Sequence, residues 1–187
     1  MFDATNPLAD AHVNLFANAY KPVPVATLML AEAIEAICGG RYQREVCEVR
    51  QVLAAKGKRT YNKAKATIPA FTFAGTFSPS RANEHLQQHA GIAHGDMDYV
   101  EDIASAKRRI CSDPRTAYAF DSPGGQGLKV GVRVLIIADD AAYKHVWRIV
   151  SAEYERLYRR HYSHRPPHTP STAAMIMLCA PSRRRCR

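Results

Sequence analysis

The sequence predicts an α+β fold in which helices flank a mixed or antiparallel sheet. Short runs rich in aromatic and β-branched residues alternate with longer segments of helical periodicity. The glycine-rich segment 122–127 separates two strand-like runs, as the connection of a β-hairpin does. A length of 187 residues accommodates one domain with an appendage but not two full domains.

The N-terminal half is predicted to contain, in order, strand 12–20, helix 25–37, helix 43–55, strand 68–77 and helix 78–89. In the first two helices apolar residues recur at helical spacing, and Gly39 and Gly40 between them are typical of a helix end. The basic segment 57–68 is expected to be a connection. Aromatic and β-branched residues predict the second strand, and a serine cap predicts the third helix.

The C-terminal half is predicted to contain, in order, strand 91–98, helix 100–113, strand 116–122, strand 128–136 and helix 139–162. Pro114 marks the end of the first of these helices, because proline disfavours a helical residue before it. The last helix is amphipathic, and its predicted inward face consists of Ala142, Val146, Ile149, Val150, Tyr154 and Leu157. One domain is therefore expected over residues 1–162.

The end of the chain carries most of its positive charge. After Glu155 there are eight arginines and no acid, so most of the formal net charge of +9 belongs to this end. Such a tail can bind phosphate without specificity, but its composition also resembles an out-of-frame or truncated terminus. We expect residues 163–187 to be disordered and give the net charge little weight.

The N-terminal residues and the cysteines indicate a cytoplasmic protein. The start lacks the basic and apolar pattern of a secretory signal, and no run of about 18 apolar residues predicts a membrane span. The five cysteines are widely spread and lack CxxC spacing. They are expected to be reduced thiols, most of them buried.

Asp96 and Asp98 are the leading candidate metal ligands. They are spaced one residue apart at the end of a predicted strand, where side chains i and i+2 lie on one face. Paired carboxylates can hold Mg²⁺ or Mn²⁺ against a triphosphate. The alternative is that both are solvated acids at a strand end. His89 and His94 form a second, weaker pair of candidate ligands.

The predicted hairpin at 122–127 is a second candidate element. A glycine-rich turn with a serine and a following lysine, Lys129, can hold phosphate charge. Neither the P-loop nor the Rossmann fingerprint is present. Glycine-rich hairpins are usually only turns, so the phosphate hypothesis depends on the residues around this one.

Four segments, in matching order, resemble the VirE N-terminal domain family of bacterial mobile elements and phages, within the archaeo-eukaryotic primase (primase-polymerase) superfamily. They are VNLFANAYKPVP (13–24), IPAFTFAGTFSPSR (68–81), HAGIAHGDMDYV (89–100) and DPRTAYAFDSPGGQGLKVGVRV (113–134). The last is the most specific, because serine, proline, glycines and GLKV occur together. The resemblance implies an RRM-like catalytic core and a role in DNA replication or primer synthesis.

The resemblance also implies roles for single residues. Asp96 and Asp98 would bind Mg²⁺ or Mn²⁺, and Lys129 would join them as a catalytic residue. The implied nucleotide-binding residues are Ser122, Gly124, Gly125, Gln126, Gly127 and Lys129. The implied nucleic-acid contacts are Arg81, Lys63 and Lys65, for which a solvated surface role is the alternative. The implied partners are a nucleoside triphosphate, a DNA template and a helicase-like ATPase.

One departure from the superfamily pattern leaves two functional hypotheses open. The pattern places a third carboxylate after the last helix, where this chain has no acid. The first hypothesis is an active nucleotidyltransferase. The second is a DNA-binding or partner-docking module of the same fold without turnover. A different DxD enzyme, such as a glycosyltransferase, is a third alternative.

Overall fold

The computed structural model describes residues 10–98, 100–136, 140–158 and 176–177. This part of the chain is α+β, with antiparallel sheets and four α-helices, which confirms the predicted class at this level. The strands are β1 (His12–Phe16), β2 (Ala26–Met29), β3 (Ala70–Thr72), β4 (Gly75–Phe77), β5 (Leu86–His89), β6 (Ile92–Met97), β7 (Thr116–Asp121), β8 (Leu128–Arg133) and β9 (Ile176–Met177). The helices are α1 (Leu30–Cys38), α2 (Gln43–Lys65), α3 (Ile103–Cys111) and α4 (Asp140–Tyr158), with a 3₁₀ turn at Asn83–His85.

The strand β1 lies inside the N-terminal sheet, between β2 and β3, and β3 also pairs with β9. Val13 of β1 is fully buried and belongs to the same core as Val46 of α2 and Phe71 of β3. The buried Asn14 side chain accepts the backbone N–H of Phe77. This bond ties the sheet to the β4–β5 hairpin.

Gly57 divides α2 into two helical segments. Its φ of +72° and ψ of 178° are not helical, and glycine adopts such a conformation without steric cost. The segment before it packs Val46 and Val49 into the core. The segment after it buries Tyr61 on one face. Both segments therefore contribute to the same hydrophobic core.

The C-terminal sheet has the strand order β6-β8-β7, with antiparallel pairs. On one face, Val130 of β8 packs in a core with Ile110 of α3 and Tyr154 of α4. On the other face, Tyr118 and Phe120 of β7 join the main core that α2 also contacts. The sheet is thus covered on both faces.

The outer edge of β6 is bonded to α4 through two aromatic side chains. The backbone N–H of His94 donates to the hydroxyl of Tyr143 at 3.4 Å, and Nε1 of Trp147 donates to the carbonyl of His94 at 2.8 Å. Both backbone groups of this edge residue therefore have partners without an additional strand.

Three sequence-predicted elements are wrong in type. Ala26–Met29 is a strand and not the start of a helix, because it pairs with β1, and Glu32 accepts the Met29 N–H where the helix begins. Residues 57–65 are mostly helical and not a connection, since lysine, arginine and alanine favour helix. The predicted helix 78–89 is a 3₁₀ turn followed by β5, whose residues pair with β4. In the two strand segments the tertiary pairing outweighs the local pattern.

Two further details correct the sequence-based expectations. The prediction of reduced thiols is wrong for Cys47, which is disulfide-bonded, and right for Cys38 and Cys111, which are free thiols but exposed and not buried. On α4, Tyr143 is buried while Ile149 is 56% exposed. Ala142, Val146, Val150 and Tyr154 pack against the core as predicted, and Tyr143 joins this face through its contact with the His89 ring, with centroids 5.4 Å apart.

Most of the predicted tail 163–187 lies outside the described residues. Within it, Ile176 and Met177 pair with Phe71 and Ala70 of β3. None of the described helices has the length and apolar character needed to cross a membrane.

Candidate functional site

Asp96 and Lys129 form an ion pair between β6 and β8. The two residues are directly opposite in the antiparallel register, so their side chains lie on the same face of the sheet. Nζ of Lys129 donates to Oδ2 of Asp96. Lys129 is only 6% exposed, and burial of a charged lysine requires such a partner. The structure thus brings together two residues that the sequence assigned to one site.

The pKa of Asp96 reflects this pairing. Burial alone raises the pKa of its carboxyl, but the charge and the hydrogen bond of Lys129 outweigh burial. The pKa of Asp96 is therefore below its ordinary value, and the carboxylate is ionised at neutral pH. An ionised carboxylate is the form that binds a cation.

Asp98 and Lys65 complete a four-residue cluster. Asp98 follows the end of β6, two residues after Asp96, and is half-buried. Lys65, at the end of α2, is within electrostatic reach of both carboxylates and of Lys129. Burial, and next Lys129, lower the pKa of Lys65, whereas Asp96 and Asp98 act in the opposite direction. We name Asp96, Asp98, Lys129 and Lys65 the carboxylate–lysine cluster.

Tyr61 connects this cluster to the glycine-rich turn. The ammonium groups of Lys58 and Lys65 lie over its ring, at 5.4 and 5.9 Å from the centroid. Its hydroxyl lies so close to Gly124 that a Cβ there would be 2.9 Å from the oxygen. One buried aromatic ring therefore positions two lysines beside the turn.

The turn itself is held on α2 by Arg50, a residue that sequence reasoning missed. The guanidinium of Arg50 donates to the carbonyls of Pro123 at 2.9 Å and Ser122 at 3.3 Å. No local pattern marks Arg50, because it is 72 residues from Ser122 in the chain. Its interaction depends entirely on the packing of α2.

Several polar groups of the turn are already used inside the protein. The N–H groups of Ser122 and Gly125 donate to the carbonyls of Gly127 and Ser122, at 2.7 and 2.8 Å. The carbonyl of Gln126 accepts the N–H of Val100 at 3.0 Å. The two donors are engaged within the hairpin, so phosphate binding by this turn depends on other groups. Its nucleotide-binding role stays a prediction.

Replacing Arg50 with methionine is expected to loosen the turn without unfolding the domain. The free energy of unfolding should fall by about 1–2 kcal/mol, since two hydrogen bonds from a charged donor are lost. Hydrogen exchange at residues 122–127 should become faster. Arg44→Met on the same helix is the matched control, because the Arg44 side chain is 89% exposed in a surface pair with Glu48. Equal effects of the two variants would contradict the anchoring role.

Arg81 and Lys63 lie in different surroundings. The Arg81 guanidinium lies 5.6 Å from the centroid of the Phe16 ring and donates to the carbonyl of Ala19 at 3.3 Å. Burial lowers the pKa of Arg81. Lys63 is exposed on α2. Arg81 is therefore engaged with the β1–β2 connection, and nucleic-acid contact by both residues stays a prediction.

His89 and His94, the second pair of candidate ligands, each have a protein partner at Nδ1. Burial lowers the pKa of His94 to about 3 and that of His89 to about 4, so both rings are neutral. His94 Nδ1 lies 3.2 Å from the hydroxyl of Tyr118, and His89 Nδ1 accepts the N–H of Gly91 at 2.9 Å. In the described ranges, no group of three or more His, Cys, Asp or Glu side chains is arranged to hold a metal ion.

The oxygen ligands of the cluster nevertheless fit Mg²⁺ or Mn²⁺, on the condition that the cation binds together with an anion. Two carboxylates supply hard oxygen ligands, but Lys129 and Lys65 balance their charge. A cation arriving alone meets a site of no net charge. When a cation arrives with a polyphosphate, the carboxylates can bind the cation and the lysines can bind the phosphate oxygens. The two ligands should therefore bind together.

Residues 63–173 match the family model of the BT4734-like N-terminal domain. The chain belongs to this family. Neither a search of curated proteins nor a search of solved structures found a match. The resemblance to the VirE N-terminal domain family is therefore wrong, because the family model that matches is a different one. Three of the four segments that suggested the resemblance lie in the matched region, which shows that short motifs alone did not separate the families.

The BT4734-like domain match begins at residue 63 and includes the whole carboxylate–lysine cluster and the glycine-rich turn. It ends at residue 173, beyond the predicted domain boundary at 162. Arg50 and Tyr61, which position the turn and the lysines, precede it. The candidate site of this BT4734-like domain therefore uses residues on both sides of the family boundary.

Proposed function

We propose that this BT4734-like domain binds Mg²⁺ or Mn²⁺ together with a nucleoside triphosphate and transfers the nucleotide to the 3′-hydroxyl of a DNA strand. The carboxylate–lysine cluster is the observation that carries the proposal. It combines paired oxygen ligands with two ammonium groups at one end of a sheet. Cation and polyphosphate are the two ligands that such a set can hold together.

The proposed reaction is a displacement at the α-phosphorus. The 3′-hydroxyl oxygen forms a bond to this phosphorus, the bond to the bridging oxygen of pyrophosphate breaks, and the hydroxyl proton leaves to solvent. Asp96 and Asp98 would hold the cation, which polarises the phosphate oxygens when it is bound. Lys129 and Lys65 would neutralise the charge that develops on pyrophosphate.

We further propose that the core around the site is RRM-like. The elements β6-α3-β7-β8-α4 follow one another as β-α-β-β-α, and the strand order is β6-β8-β7. This is the order of the first three strands in the split β-α-β-β-α-β arrangement. It places Asp96 on the first strand and Lys129 on the adjacent third strand, which supports the proposal.

A second candidate function is a DNA-binding or partner-docking module of the same fold without turnover. It is favoured by the finding that, in the described ranges, no third carboxylate joins Asp96 and Asp98. Two-metal catalysis normally shares the charge of both ions among more ligands. Both candidate functions predict ligand binding, but only the first predicts that nucleotides are incorporated into a DNA strand.

Asp98→Asn is the sharpest variant for testing the proposal. Asp98 forms no ion pair within the described residues, so its amide should leave the fold intact. We expect wild-type protein with Mn²⁺ to extend a DNA primer with labelled dNTP. The extension rate of Asp98→Asn should be lower by a factor of at least about 100. The control is Glu84→Gln with Glu101→Gln, which removes two exposed charges elsewhere.

Nucleotide binding measured without turnover separates the two candidates. Binding of dNTP that requires Mn²⁺ and is weakened in Asp98→Asn, without extension by the wild type, would favour the module without turnover. Extension that is equal in wild type and Asp98→Asn would overturn the proposed site. Absence of both extension and metal-dependent nucleotide binding in the folded protein would overturn the nucleotide-binding function itself.

A further inference from the structure

The stretch from residue 49 to residue 83 contains no aspartate or glutamate, and the structure sorts its basic side chains into three groups. Arg50 anchors the glycine-rich turn, and Arg81 is engaged with the β1–β2 connection. Lys58 and Lys65 lie over the Tyr61 ring. The remaining members are Lys56, Arg59 and Lys63, which are all exposed. We name these three the basic ridge.

The basic ridge lies on α2, whose last residue, Lys65, belongs to the carboxylate–lysine cluster. Arg59 and Lys63 are four residues apart in the helical segment after Gly57, so they lie on one face. Lys56 precedes the break at Gly57. Within the described part of the chain none of the three forms an ion pair. Their charge is therefore directed to solvent, and Arg59 and Lys63 form a pair along one face of the helical segment that ends at Lys65.

We propose that the basic ridge binds the phosphodiester backbone of a single DNA strand whose end lies at the carboxylate–lysine cluster. This inference rests on the proposed function, because a nucleotidyl-transfer site needs a strand to lead into it. A linear polyanion fits a line of cations along a helix, and lysine and arginine contacts to phosphate do not depend on sequence. Lys65 is then assigned to the nucleotide site, and Lys63 to the strand.

The composition of the ridge segment argues against a membrane surface. An interfacial helix needs apolar side chains that enter the lipid. Between residues 56 and 65 the exposed positions are Lys56, Gly57, Lys58, Arg59, Thr60, Asn62 and Lys63, and the aromatic Tyr61 is buried. The exposed surface of this segment is therefore polar throughout, which suits phosphate contacts in water.

The test is DNA binding by the full chain without nucleotide or divalent metal. Fluorescence anisotropy of a labelled single-stranded oligonucleotide compares wild type with Arg59→Ala plus Lys63→Ala. Two lost phosphate contacts should weaken binding by about 10- to 30-fold near 0.1 M salt and reduce the slope of log affinity against log salt by about 1.4. The control, Lys21→Ala plus Arg108→Ala, removes the same charge from exposed positions outside the ridge. The arginine-rich end of the chain is present in every variant, so only the differences are compared.

Three outcomes would overturn the ridge proposal. They are unchanged binding in the ridge variant, an equal loss in the control variant, and binding of phosphatidylserine vesicles as tight as DNA with the same dependence on Arg59 and Lys63. Metal-dependent nucleotide binding and primer extension are measured separately with Asp98→Asn, which changes the cluster and leaves the ridge side chains in place. A failure of DNA binding by the ridge is thus distinguishable from a failure of nucleotidyl transfer at the cluster.

Discussion

Replacement of Lys129 with methionine is expected to lower the free energy of unfolding by about 3 kcal/mol, because it leaves the Asp96 carboxylate without its ion-pair partner. The Lys129 side chain is 7% exposed and that of Asp96 is 29% exposed. Urea denaturation measures the change. Lys63→Met is the control, since its side chain is exposed and the change should cost under about 0.5 kcal/mol.

The loss of unfolding free energy in Lys129→Met is expected to depend on pH. In the wild type the pKa of Asp96 is lower in the folded than in the unfolded chain. The pair therefore contributes stability above about pH 4, the ordinary pKa of an aspartate, and this stability is lost as the pH falls through the folded pKa. In Lys129→Met, burial raises the pKa of Asp96, so the deficit should shrink as the pH is lowered towards 4. A deficit that is absent at pH 7, or that grows in acid, would contradict the buried pair.

Gly127→Ala is expected to cost about 3 kcal/mol of unfolding free energy, the upper end for overpacking. A Cβ at Gly127 would lie 2.2 Å from the carbonyl oxygen of Met97, and backbone on both sides cannot move aside cheaply. Gly125→Asn is the matched control in the same turn. Gly125 has a φ of +72° and its nearest neighbour atoms are those of Arg50, at 3.7 Å, so asparagine should cost under about 1 kcal/mol. Chemical denaturation of the two variants measures the contrast.

Equal losses in Gly127→Ala and Gly125→Asn would show that the turn is sensitive as a whole and not at the approach to Met97. The predicted contrast also bears on the assignment of Gly127 to nucleotide binding. The close approach to β6 is a sufficient structural reason for glycine at this position. Nucleotide binding by Gly127 therefore needs evidence beyond the residue type.

The sequence predicts the C-terminal half of the fold well because its signals there are local. Residues 92–97, 116–121 and 128–133 are strands within the predicted ranges 91–98, 116–122 and 128–136, and the glycine-rich segment joins an antiparallel pair. The N-terminal half is predicted less well, because β2 and β5 are short and depend on pairing with β1 and β4. Short segments carry too few residues for periodicity to decide between helix and strand.

The sequence predicts part of the candidate site. The spacing of Asp96 and Asp98 and the position of Lys129 after the turn are visible in the sequence, and the register of β6 and β8 brings Asp96 and Lys129 together. The ion pair between Lys129 and Asp96 depends on this register. The role of Arg50 is invisible in the sequence, because it depends on how α2 lies against the turn.

The aromatic bonds between α4 and the edge of β6 have a consequence for self-association. An outer strand with open backbone groups is a template for pairing with another chain, and this is a route to aggregation. At His94, Tyr143 and Trp147 take the hydrogen-bonding positions that an incoming strand would need. The strand that carries Asp96 is thereby protected at this residue against edge-to-edge assembly with a second copy.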